Sequence, residues 1–388
     1  MQDHASAGGA ARSVQLRTAA FVWLRHVRRL EWDVSAWILL VKLSFFAFIV
    51  VAVPVLANRY TPWWQLVNRW DAERYLRLAR DGYGGSGEEI FFLVGFPLYP
   101  WLVRMVSWLG LGIPLAALVV SGVASIAAGW WLLRLVREDY GEETGRLAVW
   151  FLFIFPTSYF LHIAYTEATL LALALGCFVA VRRRHWALAG VLGGLAALTR
   201  MNGLLLLPAL GVEAWLQYRA TKRVDWRWLW LAGIPCGFGV YLWVNYHVTG
   251  DPFAFTKLMQ EKFFRALAPP WVGVEVLWDN LQNEGAADFM MVGVAEALFA
   301  VLGLALTIWS WFVLRASYSV WMTGNLLLSI CSSFVLSVPR YTLLMFPIFI
   351  LFAQWSRTRP LWFAGLSVWS LLLLALFSIK FAFGHWAF

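Results

Sequence analysis

Charge is what this sequence has least of. Of its 388 residues only 14% are Asp, Glu, Lys or Arg, against roughly 25% in a soluble chain, which excludes an ordinary soluble domain. Cysteine is also scarce. Cys177, Cys236 and Cys331 lie inside apolar runs without CxxC or Cys/His spacing. They read as buried structural thiols, and the pattern supports neither a disulfide framework nor a metal site. Missing too are a P-loop, G-x-G-x-x-G, G-x-S-x-G and HExxH. Without a soluble nucleotide-binding domain, an activated substrate has to arrive by way of the membrane.

What the chain has instead is apolar length. Hydrophobic residues make up 61% of it, its mean hydropathy is +0.67, and apolar runs near 20 residues recur from end to end, the signature of a polytopic helical membrane protein. The 26 Trp and 12 Tyr suit a surface that lies largely at headgroup level. Net charge is +9, but the basic residues fall mainly between apolar runs. They therefore signal orientation rather than nucleic-acid binding. A basic segment with Arg17, Arg25, Arg28 and Arg29 precedes the run Trp37 to Ala57, which has no small-x-small cleavage site. This reads as a first span with the N-terminus inside, and not as a signal peptide.

Further spans are expected near 113–136, 147–164, 166–182, 186–200, 203–218, 228–247, 291–315, 317–338, 340–355 and 360–380, about 11 with the first. No internal repeat or low-complexity tract appears, so residues 1–388 form one membrane domain, all-α. The orientation turns on Phe96 to Leu111, which is interrupted by Pro97, Pro100 and Arg104 and falls short of the ~20 residues a span needs. If it does not cross, Arg134, Arg137 and Arg146, then Arg182, Arg183 and Arg184, then Arg219, Lys222, Arg223 and Arg227, then Arg315, then Arg357 and Arg359 all face inside. If it crosses, that pattern inverts. The positive-inside rule favours a juxtamembrane or re-entrant helix. The outside face then holds the first loop 58–111, the turns at 162–167 and 199–203, the long loop 248–290 and Pro339-Arg340-Tyr341.

Polar residues with chemical capability gather on that face. A helix starting near Asn68 places Ala72, Leu76, Ala79 and Tyr83 on one stripe and Arg74, Arg77 and Arg80 on another, as in a helix lying at the interface. Asp71 on it reads either as part of a capping box with Asn68 or as a general base. Glu167 beside Tyr165 is a solvated boundary residue or an N-cap with Thr166, or else a site residue. His162 has no metal-ligand spacing around it. Arg200, next to Asn202, either snorkels or, as an arginine on the wrong face for the charge rule, binds an anion. Arg340 makes the same exception, and two such arginines can clamp a phosphate. Asp251-Pro252 is a turn signal.

Arg69-Trp70-Asp71-Ala72-x-x-Tyr75-Leu76-x-x-Ala79-x-x-Gly82-Tyr83, followed by Gly95-Phe96-Pro97-Leu98-Tyr99-Pro100, resembles the first outside loop of the PIG-V-like mannosyltransferases. Ala164-Tyr165-Thr166-Glu167-Ala168 is similar to their Tyr-Ser/Thr-Glu turn, Thr199-Arg200-Met201-Asn202-Gly203 to their Thr-Arg-Ser-Asn-Gly, and Pro339-Arg340-Tyr341 to their Pro-Arg-Tyr. The match runs in order over about residues 60–350, with Met201 in place of the family's small residue. The resemblance implies a GT-C fold and an inverting glycosyltransferase of the outer face. Such an enzyme moves a hexose, here expected to be mannose, from a polyprenyl-phosphate sugar to a hydroxyl of a lipid-linked or glycan acceptor. The family's catalytic Asp falls on Asp71. Arg69, Trp70, Arg74, Tyr75, His162, Tyr165, Glu167, Arg200, Asn202, Arg340 and Tyr341 would bind substrate, with no cofactor and no metal. The expected setting is a bacterial inner membrane, with membrane lipid as surroundings and no nucleic-acid partner. The rival is a transporter or flippase of lipid-linked sugars, whose polar site would lie near the midplane.

Overall fold

The structure is a computed structural model describing residues 33–56, 61–283, 285 and 288–388. The basic segment containing Arg17, Arg25, Arg28 and Arg29 lies outside the described residues. Among those described the chain is all-α, with one isolated bridge between Leu267 and Ser332 as its only extended pairing.

The helices follow from the apolar runs. Helix α1, Asp33–Leu56, buries Val34, Ile38, Phe45, Ile49 and Val53 at helical spacing, and exposes Leu43, Val51, Val55 and Leu56. One stripe on protein and apolar residues all round is what a helix in lipid requires. Among the described residues three more helices are long and apolar enough to cross a membrane: α5 (Ile113–Tyr140), Phe289–Val313, which begins as a π turn and continues as α13 (Glu296–Val313), and α17 (Pro360–Phe383).

Between them run α6 (Glu142–Ile154), α7 (Glu167–Arg182), α8 (Trp186–Thr199), α9 (Leu206–Thr221), α10 (Gly233–Thr249), α14 (Ala316–Ile330) and α16 (Pro347–Arg357), each of 11 to 17 residues. Several expected spans are thus a shorter helix topped by buried irregular backbone. The span expected at 147–164 stops at Ile154, and residues 155–166 fold into a buried loop with a 3-10 turn at Ser158–Leu161. Pro156 lacks the N–H that would continue the helix. The spans expected at 317–338 and 340–355 break in the same way around α15 (Val338–Thr342).

The segment Phe96 to Leu111 does not form a long helix. A 3-10 helix, Gly87–Val94, turns by 110° into α4, Leu98–Ser107. Ten helical residues reach about 15 Å, half the hydrocarbon thickness.

Packing is closest where glycine removes the side chain. Gly190 and Gly194 on α8 face Gly233 and Gly237 on α10. A Cβ on Gly237 would lie 2.0 Å from the Gly194 carbonyl oxygen, so this small-xxx-small pair lets the two backbones touch. Helix α7 packs between α5 and α8, and α16 against α6. Two ionic knots tie further helices together: Arg182 with Asp139 at 2.6 Å and Arg315 with Glu213 at 2.5 Å.

The cysteines depart from expectation. Cys177 is buried, but Cys331 is half-buried and Cys236 exposed on α10. In an apolar run that faces lipid, exposure is no penalty for a thiol, and sequence alone does not separate that face from the core.

Candidate active site

The short helix α2, Trp63–Val67, ends at Asn68, and α3 spans Asp71–Asp81. The capping-box reading of Asn68 and Asp71 is corrected here. The residue before α3 is Trp70, at φ 55 and ψ −119, and no side chain caps the helix. A left-handed Trp is strained. It turns the chain so that Asp71 opens the helix instead of sitting inside it. The stripe of α3 holds for Ala72, Leu76 and Ala79 inside and Arg77 and Arg80 outside, but Tyr83 lies beyond the helix end and Arg74 is half-buried at the cavity. Two contacts hold the strained turn: the Trp70 ring meets Trp386 edge-on at 5.3 Å, and Arg69 Nη2 donates to the Ala382 carbonyl at 3.2 Å. Gly384 beside that guanidinium adopts φ 82, a backbone conformation that favours glycine.

Asp71 is the exposed end of an alternating chain of charges. Arg74 Nη1 lies 3.3 Å from Asp71 Oδ1, and Arg340 Nη1 donates to Asp71 Oδ2 at 2.8 Å. Arg340 Nε donates to Glu167 Oε1. Arg200 Nη1 donates to the same oxygen at 2.6 Å and to the Thr166 hydroxyl at 2.8 Å. Thr166 therefore serves Arg200 and not a helix cap. Glu167 is fully buried and Arg340 nearly so, while the Asp71 side chain keeps 29% exposure. The Arg340 guanidinium also lies over the rings of Tyr165 at 4.6 Å and Phe160 at 4.9 Å. Buried charges persist only when paired in this way.

Burial would raise the Asp71 carboxyl. The opposing pull of Arg340, then Arg74, with Arg200 behind them, outweighs it and holds Asp71 at about 2. Asp71 is thus ionised throughout the physiological range.

A cavity of 480 Å³ opens beside this chain, lined among others by Asp71, Arg74, Tyr75, Arg200, Asn202 and Tyr341. Six sequence-selected residues therefore meet at one cavity, although α3, α8 and α15 are far apart in the chain. The turn Arg200 to Gly203 folds back on α8 so tightly that a Cβ on Gly203 would lie 2.2 Å from the Ala196 carbonyl carbon. That places Asn202 against Asn325, amide to amide at 2.9 Å.

Others fall elsewhere. Arg340 and Glu167 stand behind the cavity wall, where they orient Asp71 and Arg200. Tyr165 is buried, its hydroxyl donating to the Arg69 carbonyl at 3.0 Å, and so braces the turn before Asp71. Arg69 and Trp70 act on that turn from the other side. His162 does not line the cavity: its ring packs against Phe45 and Phe153, and Lys42 donates to its carbonyl at 3.1 Å. Asp251 forms the turn expected of it, accepting from the Phe253 amide at 2.9 Å.

Two functional candidates escape sequence reasoning. Arg265 lines the cavity and donates to Tyr341 Oη at 2.9 Å and to the Leu336 carbonyl at 2.6 Å. It belongs to the long loop, which carries no motif. Glu296 is fully buried at the start of α13 and accepts from the amides of Ser337 and Val338. A lone carboxylate within an apolar span is a signal that would have found it. Among the described residues no group of three His, Cys, Asp or Glu is arranged to hold a metal ion.

No family model matches this chain, and no curated protein matches its sequence. Among solved structures it is similar to ArnT from Cupriavidus metallidurans bound to undecaprenyl phosphate, with 14% identity and TM-score 0.49 over 90% of this chain and 72% of that one. It is also similar to the Archaeoglobus fulgidus oligosaccharyltransferase in complex with Zn and sulfate, with 10% identity and TM-score 0.44 over 88% of this chain and 53% of that one. The chain thus spans about half the length of the second protein.

Proposed function

We propose that this protein is an integral-membrane, GT-C-like inverting glycosyltransferase of the PIG-V-like kind. It takes a hexose, mannose in the first instance, from a polyprenyl-phosphate sugar and gives it to an acceptor hydroxyl at the outer face. One observation carries the reading. A carboxylate whose two oxygens are each held by a guanidinium stands at the wall of a cavity whose other walls present Arg200 and Arg265. Four arginines against the two carboxylates Asp71 and Glu167 leave the ensemble positive, which suits a phosphate. The rings of Tyr75, Phe96, Phe263 and Tyr341 along the cavity suit the apolar faces of a sugar.

The chemistry follows from the residues. The acceptor oxygen bonds to the anomeric carbon as the bond from that carbon to the phosphate oxygen breaks, with inversion. The acceptor proton passes to Asp71. A carboxylate at about 2 is a weak base in the empty site. A donor phosphate that engages Arg74 and Arg200 competes for the cations around Asp71 and returns basicity to it as the acceptor arrives. General-base help contributes roughly 10²–10⁴-fold. Arg74, Arg200 and Arg265 stabilise the departing phosphate, while Glu167 and Arg340 fix the geometry behind them.

The test is direct. Purified protein in nanodiscs is incubated with polyprenyl-phosphate mannose and a membrane lipid extract, and products are identified by mass. A mannosylated product that Asp71→Asn fails to make supports the proposal. Unchanged turnover by Asp71→Asn overturns the base assignment, and movement of intact donor across the bilayer without transfer favours a flippase.

A further inference from the structure

The five residues that bring Arg340 and Tyr341 to the site do not make a self-sufficient helix. Helix α15 begins at Val338 behind Ser337, a non-glycine residue at φ 71, and Ser337 gives no side-chain cap. Pro339 has no N–H, so the amides of Ser337 and Val338 are orphan donors. Both find the same partner: Glu296, 41 residues earlier, receives the Ser337 amide on Oε1 at 2.6 Å and the Val338 amide on Oε2 at 2.7 Å. Arg265 fixes the preceding carbonyl of Leu336 and the Tyr341 hydroxyl, and the Thr157 hydroxyl takes the Pro339 carbonyl at 2.9 Å.

A hydroxyl or amide next to Ser337 would suffice to cap so short a helix. Reaching instead for a fully buried carboxylate on an apolar span is an expensive choice for fold alone. What it secures is position. Arg340 contacts Asp71 and Glu167 at once, and a small shift of α15 breaks one of the two.

We propose that Glu296 is a positioning residue: through the hydrogen bonds it accepts from the Ser337 and Val338 amides it holds α15 where Arg340 reaches both carboxylates and Tyr341 faces the cavity. The catalytic part of this statement rests on the glycosyl-transfer reading; the mechanical part does not.

The experiment measures amide exchange and kinetics on the full chain in nanodiscs, comparing the wild type with Glu296→Gln and Glu296→Asp. In Glu296→Gln one amide faces an NH₂ instead of an oxygen. Exchange at Ser337 and Val338 is expected to rise by about 10–100-fold, the effect of leaving one buried amide without its acceptor, with α5 and α7 unchanged. With polyprenyl-phosphate mannose, kcat is expected to fall by a similar factor and donor KM to stay within about threefold, because the loss is felt in the transition state. Glu296→Asp, which keeps a carboxyl group, recovers part of both, and it replaces Glu296→Gln if that variant does not fold. Unchanged exchange at Ser337 and Val338 overturns the proposal. Faster exchange with unaltered kcat also overturns it, leaving Glu296 a structural cap. If the wild type does not turn over this donor, the functional reading fails and the exchange result alone decides the mechanical claim.

Discussion

Arg340 and Asp71 stand 269 residues apart in the chain and 2.8 Å apart in the fold. Arg340 is committed in two directions, to Asp71 with one nitrogen and to Glu167 with another. Removing it takes one of two guanidinium partners from each carboxylate, leaving Arg74 to Asp71 and Arg200 to Glu167. Arg340→Gln is expected to lower stability by roughly 3–5 kcal/mol and to abolish activity, whereas Asp71→Asn retains the fold with a smaller loss of stability and abolishes activity. Thermal unfolding in nanodiscs separates the two; an Arg340→Gln protein as stable as the wild type contradicts the arrangement.

The same pair gives the protein an acid limit. Asp71 is held at about 2 in the folded state, below the ordinary ~3.9 of the unfolded chain. A depressed carboxylate contributes stability that is present above the unfolded value and is lost as pH falls through the folded one. The window is therefore about pH 5 down to about 2, and the contribution is of order 2 kcal/mol, less what solvent screens at a side chain 29% exposed. Asp71→Asn is expected to flatten the acid side of a stability-against-pH curve; an unaltered slope rules this origin out.

Arg200 faces the cavity and Arg340 does not, so they differ kinetically. Arg200→Gln is expected to raise the donor KM by about tenfold or more through loss of a charge-assisted phosphate contact, with a smaller effect on a neutral acceptor's KM. Separate titrations of donor and acceptor check this. Equal effects on both place Arg200 outside the donor site.

Glycine packing supplies a test independent of any activity. Gly237→Leu drives a side chain into the Gly194 backbone, whereas Gly239, two residues on, has open space. Gly237→Leu is expected to prevent folding or lower the melting temperature sharply, and Gly239→Leu to leave it near the wild type.

Much of the site was legible before any coordinates. Arg200 and Arg340, singled out as exceptions to the expected charge pattern, both meet Glu167. The interfacial stripe of α3 was readable from its period. His162 was not, because a polar residue in a turn looks the same whether the turn faces a cavity or, as here, packs between Phe45 and Phe153. Arg265 carried no signal, since a loop's path is set by what it lies against.

By itself, the sequence determined the solvent of this protein. Its apolar length and scarce charge require lipid. Only the tertiary structure decided how those turns meet. Where the apolar runs stop depends on Pro156 and on the buried loops around α15, and which guanidinium pairs with which carboxylate depends on contacts between helices far apart in sequence. Asp71 as a helix cap and Asp71 as a site residue are the same letters in the chain. The strained turn at Trp70 removes the capping-box reading and the reach of Arg340 sets Asp71 at the cavity wall, because both are properties of packing that no local pattern encodes.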